Sequence, residues 1–173
     1  MRTLVIGDIH GAHIPLQQCL ERSEFNKEKD LLITLGDICD GWPYVYECVE
    51  ELLTIAHRID IIGNHDQWFN YWLQTNIHPD NWRQGGKGTA VSYLRQTGRE
   101  KLIQPCYTTS GYTTSLNPGD IEAMHQDFFN NQQLYYKDLK NRLFVHAGIY
   151  RFQTLSEHCH GNESAFYWDR ELW

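Results

Sequence analysis

The sequence has no CxxC pair, no internal repeat, no low-complexity tract and no apolar run near the ~18–20 residues that span a bilayer. Those absences argue against a redox dithiol, a repeat array and a helical membrane protein. The five cysteines, Cys19, Cys39, Cys48, Cys106 and Cys159, are odd in number. A disulfide framework is therefore not expected, and free thiols in a reducing cytoplasm are. The opening Met-Arg-Thr-Leu-Val-Ile-Gly-Asp lacks the profile of a secretory leader. Positive charge is scarce: 15 Lys and Arg stand against 22 Asp and Glu, a net charge of −7. Neither a nucleic-acid partner nor a membrane partner is expected from that balance. A protein that handles phosphate at this charge needs a local positive centre, either clustered Arg and Lys or a metal. The chain is also too short for a (β/α)₈ barrel, which takes ~250 residues. Its 173 residues suit a single domain, 1–173.

What is present is an alternation of apolar runs and amphipathic stretches. Thr3–Ile6, Asp30–Leu35 and Arg58–Ile62 read as strands, and Pro15–Arg22 and Tyr44–Ala56 as helices. In the second helix Val45, Cys48, Val49, Leu52, Leu53 and Ala56 recur at helical spacing. Strand–helix–strand–helix–strand implies crossover connections, hence an α/β fold with a mainly parallel sheet. Asp66–Thr75, Gly88–Thr97 and Ile121–Asn131 also look helical. Leu134–Lys137 and Arg142–Ile149, separated by Asp138-Leu139-Lys140-Asn141, predict a hairpin. Beyond Arg151 the chain is polar and rich in His and aromatics, without a clear period.

Each of the three early strands runs into a compact polar cluster: Gly7-Asp8-Ile9-His10-Gly11, Gly36-Asp37-Ile38-Cys39-Asp40-Gly41 and Gly63-Asn64-His65-Asp66. Ligands of open α/β sheets bind outside the carboxyl ends of the strands, so all three clusters fall on one rim. Val145-His146-Ala147-Gly148 ends the later apolar run in the same way. The polar members are Asp, His and Asn, donors that suit manganese, iron or zinc rather than a thiolate site.

These four clusters, read as GDIHG, GDICDGW, GNHD and VHAG, resemble the GDxHG, GDxxDRG, GNHE and VHAG signatures of the calcineurin-like metallophosphoesterases, within them the phosphoprotein phosphatase branch. Trp82 to Tyr93, with Gly85-Gly86, Thr89 and Ser92, resembles the W-x-x-x-GG-x-x-T-x-x-SY segment of bacterial and phage members. Tyr167-Trp168-Asp169-Arg170 resembles their L-W-x-R. The resemblance runs from residue 7 to residue 170. It implies a sheet sandwich with helices outside and a centre of two divalent cations, manganese first, with iron or zinc as alternatives. Asp8 and His10 would hold one cation, Asn64 and His146 the other, and Asp37 would bridge them. A water between the cations would act as hydroxide on phosphorus. His65 would protonate the leaving oxygen with Asp40 orienting it, and Arg170 would grip the non-bridging oxygens.

Three departures bear on the activity. Gly41-Trp42 follows Asp40 where the family has arginine, and Gln67-Trp68 follows Asp66 where it has a second one. Arg83, Lys87 or Arg151 are candidate replacements. The family's closing GHT, whose His completes the second cation site, does not occur in these 173 residues. The domain is accordingly expected to be C-terminally incomplete, with His158 and His160 as substitute ligands if they share one side of an extended segment. Trp42 and Trp68 either cap the sheet core or, beside a phosphate site, form an aromatic pair suited to stacking on a nucleobase. The first functional expectation is a serine/threonine-type phosphoprotein phosphatase acting on phosphomonoesters. The alternatives are a hydrolase like the symmetrical bis(5'-nucleosyl)-tetraphosphatases, acting on a small nucleotide, and a metal- or phosphate-binding module without turnover. The sequence sets no oligomeric state.

Overall fold

A computed structural model describes residues 1–99, 104–106 and 111–170. Three strands, β1 (Thr3–Ile6), β2 (Leu31–Thr34) and β3 (His57–Asp60), form a parallel sheet in the order β1-β2-β3. Thr3 pairs with Leu31 and Leu31 with His57, so the three carboxyl ends finish level with one another. Parallel neighbours need crossovers, and α1 (His13–Arg22) and α2 (Val45–Leu53) supply them. Leu16 and Leu20 of α1 and Val45, Cys48, Val49 and Leu52 of α2 are buried, which is the apolar periodicity visible in the sequence. α2 stops short of Ala56 because the Ala56 N–H bonds the Lys27 carbonyl, outside any helix.

Helix α3 (Asn64–Thr75) begins two residues before Asp66. The Asp66 carboxylate accepts the Gly63 N–H at 3.2 Å, which starts the helix at Asn64 and places Asn64 and His65 in its first turn. Its Phe69 is the hub of an aromatic core, with ring centroids 4.8 Å from Phe129, 5.6 Å from Trp72 and 5.7 Å from both Trp82 and Tyr93. Trp82 and Tyr93 come from a short 3₁₀ turn (Asp80–Arg83) and α4 (Gly86–Gln96), and Phe129 from α5 (Ala123–Asn130). Between α4 and α5 lies an antiparallel pair, β4 (Gln104–Cys106) and β5 (Gly111–Thr113).

The predicted hairpin is present but short: β6 (Tyr136–Lys137) pairs antiparallel with β7 (Leu143–Phe144). Asp138 makes the turn, its carboxylate accepting the N–H groups of Lys140 and Arg142. After Phe144 the chain leaves the ladder to dock His146 on the end of β2. The aperiodic C-terminal stretch forms two short helices, α6 (Leu155–Cys159) and α7 (Ala165–Trp168). No helix among the described residues is long and apolar enough to cross a membrane.

Candidate metal and phosphate site

The loops that follow β1 and β2 are stitched together by backbone hydrogen bonds. The Asp37 carbonyl accepts from Ile9 at 3.0 Å and His10 at 2.8 Å, and the Ile38 carbonyl from Gly11 at 2.9 Å. His10, Asp37 and Asp40 all sit at positive φ, at 49°, 51° and 71°. Non-glycine residues rarely adopt this region, and three of the six that do so among the described residues cluster in these two loops. The third loop comes so close that a Cβ on Gly63 would lie 2.1 Å from Asp37 Oδ1. Only glycine fits between β3 and that carboxylate.

Asp37 is the centre of the arrangement. Donor atoms of His10, Asp37 and His65 all lie within 4.8 Å of one another, and those of Asp8, Asp37 and His146 form a second such group. Asp37 Oδ2 is 3.6 Å from His10 Nε2 and 3.5 Å from His146 Nε2. The Nδ1 of His10 meets the Cys39 carbonyl at 3.0 Å, and that of His146 meets the Leu35 carbonyl at 2.7 Å. A carbonyl can only accept, so each Nδ1 carries the proton and each Nε2 of a neutral ring presents a lone pair. Metal-bound imidazoles are tethered in this way. His146 Nε2 faces Asn64 Oδ1 at 3.1 Å. Imidazole, amide oxygen and carboxylate lone pairs thus converge without a proton between them, a set that a divalent cation satisfies. Burial, reinforced by the Asp66 carboxylate, raises the Asp37 pKa, against the pull of His146 and His65. An adjacent cation would reverse that shift.

His65 stands apart from the other two imidazoles. Its Nδ1 is 2.7 Å from Asp40 Oδ2, and its ring packs edge-on against His10 at 4.9 Å and Trp68 at 4.7 Å. Burial opposes charge on the ring. The Asp40 hydrogen bond and the carboxylates of Asp37, Asp40 and Asp66 outweigh it and raise the His65 pKa. Asp40 is itself fully buried, and its Oδ1 accepts from Trp82 Nε1 at 2.8 Å and Thr89 Oγ1 at 2.7 Å.

A sequence profile of the calcineurin-like phosphoesterases matches residues 1–171. The chain belongs to that family. Over its whole length it is 40% identical to a symmetrical bis(5'-nucleosyl)-tetraphosphatase of Aliivibrio fischeri, of which it spans 55%. A 67-residue stretch, 38% of this chain, is 40% identical to the enzyme of the same name from Buchnera aphidicola, covering 24% of it. The chain thus spans about half the length of the curated relative it matches end to end. A solved structure described as a candidate diadenosine tetraphosphatase superposes with a TM-score of 0.56 over 90% of this chain and 54% of its own, at 16% identity, a likeness of fold.

Of the residues named from sequence, Asp8, His10, Asp37, Asp40, Asn64, His65 and His146 lie together, with two differences of grouping; no contact joins Arg170 to them among the described residues. Asp8, which is exposed, gathers with His146 rather than with His10, and His65 lies close enough to join His10. Arg170 is exposed two residues beyond Trp168, whose ring lies 5.4 Å from that of Trp68 behind His65. His158 and His160 do not reach the site. They lie in and at the end of α6, not on an extended segment: His158 is buried, taking the Tyr150 N–H on Nε2, and His160 bonds the Ser156 carbonyl. The tryptophan pair also divides. Trp68 is 6% exposed, whereas Trp42 is 64% exposed. Of the candidate replacement cations, Lys87 is exposed beside Gly41 and Gly85, Arg151 lies over Phe152, and the side chain of Arg83 lies outside the described residues. So does that of Cys106; the other four cysteines are free.

Sequence reasoning missed three residues. Asp66 is buried and accepts from the N–H groups of Ile38 at 2.9 Å and Cys39 at 3.1 Å, which pins the second loop to the third. Trp82 and Thr89 hold Asp40. The signals were there: an acid three residues after Gly63 at a helix start, and a Trp–Gly-Gly–Thr segment for which no role was read.

Proposed function

We propose that this site hydrolyses the phosphoanhydride chain of a dinucleoside polyphosphate, in preference to the phosphoprotein first expected. One observation carries the reading: the full chain is 40% identical to half of a symmetrical bis(5'-nucleosyl)-tetraphosphatase, and its Asp, His and Asn donors gather around the shared carboxylate of Asp37. Two divalent cations held by Asp8, His10, Asp37, Asn64 and His146 would neutralise phosphoryl oxygens and activate water. The oxygen and imidazole donors suit manganese, with iron or zinc next.

The protein groups do the rest. His10 and His146 are fixed in one tautomer by their backbone carbonyl partners, so their Nε2 atoms are ready without reorientation. His65 gives a proton to the bridging oxygen as the P–O–P bond breaks, while water supplies the new oxygen on phosphorus. Asp40 stabilises the imidazolium, and Trp82 and Thr89 keep Asp40 from turning away. The hydrogen bond to Asp40 favours the protonated ring, as an acid requires. Arg170 would grip non-bridging oxygens of the substrate.

The test is a substrate comparison with added Mn²⁺. Diadenosine tetraphosphate should yield ADP alone, with kcat/KM at least tenfold above that for a phosphoserine peptide. Preference for the peptide, or AMP and ATP as products, would overturn the reading.

A further inference from the structure

The phosphate site contacts only the middle of such a substrate, and its two nucleosides must lie elsewhere. We propose that Trp42 and Tyr44, with Ile14 and Pro15, form the seat of one nucleobase; this rests on the substrate reading above. A cavity of about 280 Å³ is lined by Ala12, His13, Ile14, Pro15, Trp42 and Tyr44. Small-molecule pockets span ~300–1,000 Å³, so the space suits one base and not a whole dinucleotide.

Three of its walls are large apolar side chains left open to solvent: Trp42 at 64%, Ile14 at 63% and Tyr44 at 42% exposure. Contiguous apolar surface left exposed in this way marks an interaction or ligand site. Tyr44 is held in place from behind, with the Arg95 guanidinium 5.0 Å from its ring centroid and Arg95 Nη1 bonded to the Pro43 carbonyl at 3.1 Å. No carboxylate is among the lining residues, and the His13 Nε2 lies 3.9 Å from Glu51 Oε2. The two aromatic walls, Trp42 and Tyr44, are the kind of surface a base stacks on.

The seat is locked to the phosphate site. The Trp42 N–H donates to the His10 carbonyl at 2.8 Å. Gly11, at φ +65°, passes so close that a Cβ there would lie 2.2 Å from the Trp42 carbonyl oxygen. Trp42 therefore cannot drift away from His10, and the spacing between base and phosphate chain is set by the backbone. Trp68 cannot serve in the same way, being buried between His65 and Trp168.

The experiment compares wild type, Trp42→Ala and Trp42→Phe on diadenosine tetraphosphate and on inorganic tripolyphosphate, which has no base, alongside calorimetric titration with AMP. Trp42→Ala should raise KM for diadenosine tetraphosphate and Kd for AMP about tenfold, the size of one lost base–aromatic stack. Its effect on tripolyphosphate should be smaller by about that factor, and Trp42→Phe should recover most of the affinity. Equal losses on both substrates, or unchanged AMP affinity in Trp42→Ala, would overturn the seat and leave the hydrolase reading standing. Wild-type turnover of tripolyphosphate with none of diadenosine tetraphosphate would overturn the substrate reading, and the seat with it.

Discussion

His65 is gripped by Asp40 at Nδ1 and flanked by the rings of His10 and Trp68, so Nε2 is the nitrogen it can turn to a substrate. General-acid catalysis contributes ~10²–10⁴, and His65→Ala should lose that much in kcat on substrates with poor leaving groups. The loss should shrink on p-nitrophenyl phosphate, whose leaving group barely needs a proton. Equal losses on both, or loss of bound metal, would make His65 a ligand beside His10 instead. The pairing of Asp40 with His65 was legible in the sequence because both sit in recognisable clusters. The residues that hold it were not. Trp82 and Thr89 reach Asp40 only through the packing of α4 and the preceding turn, 42 and 49 residues away, and no local pattern encodes that contact.

Among the elements, the β1–α1–β2–α2–β3 order was legible from apolar spacing, and the boundaries were not, because long-range partners decide them. α3 starts early through Asp66, and β6 and β7 stay short through Asp138. The entry into the sheet depends on a similar side-chain contact. Asp30 accepts from the Arg2 side chain, the Arg2 N–H and the Asn26 N–H, tying the start of β1 to the start of β2. These bonds, the Arg2 side chain foremost, hold its carboxyl well below the usual carboxylate range. The native state then binds fewer protons than the unfolded state in acid. The stabilisation is complete above the ordinary value of ~3.9 and fades as pH falls below it. Asp30→Asn should be less stable than wild type at pH 7, with the gap narrowing steadily as pH falls below about 4. Urea midpoints measured across that range check it, and a constant gap would contradict it.

Across the molecule, level strand ends bring three loops to one rim, and the loop after β7 adds His146 from more than a hundred residues away. Their meeting was legible because the ligand types lie at strand ends, where an α/β sheet presents its site. The division of the donors was not, since it depends on side-chain distances. The central claim is that Asp37 serves two cations at once. Equilibrium dialysis against Mn²⁺ with elemental analysis of wild type, Asp37→Asn, His10→Ala and His146→Ala tests it most directly. The account predicts that His10→Ala and His146→Ala each lose one cation while Asp37→Asn holds neither; an Asp37→Asn protein that binds as much Mn²⁺ as wild type would contradict it.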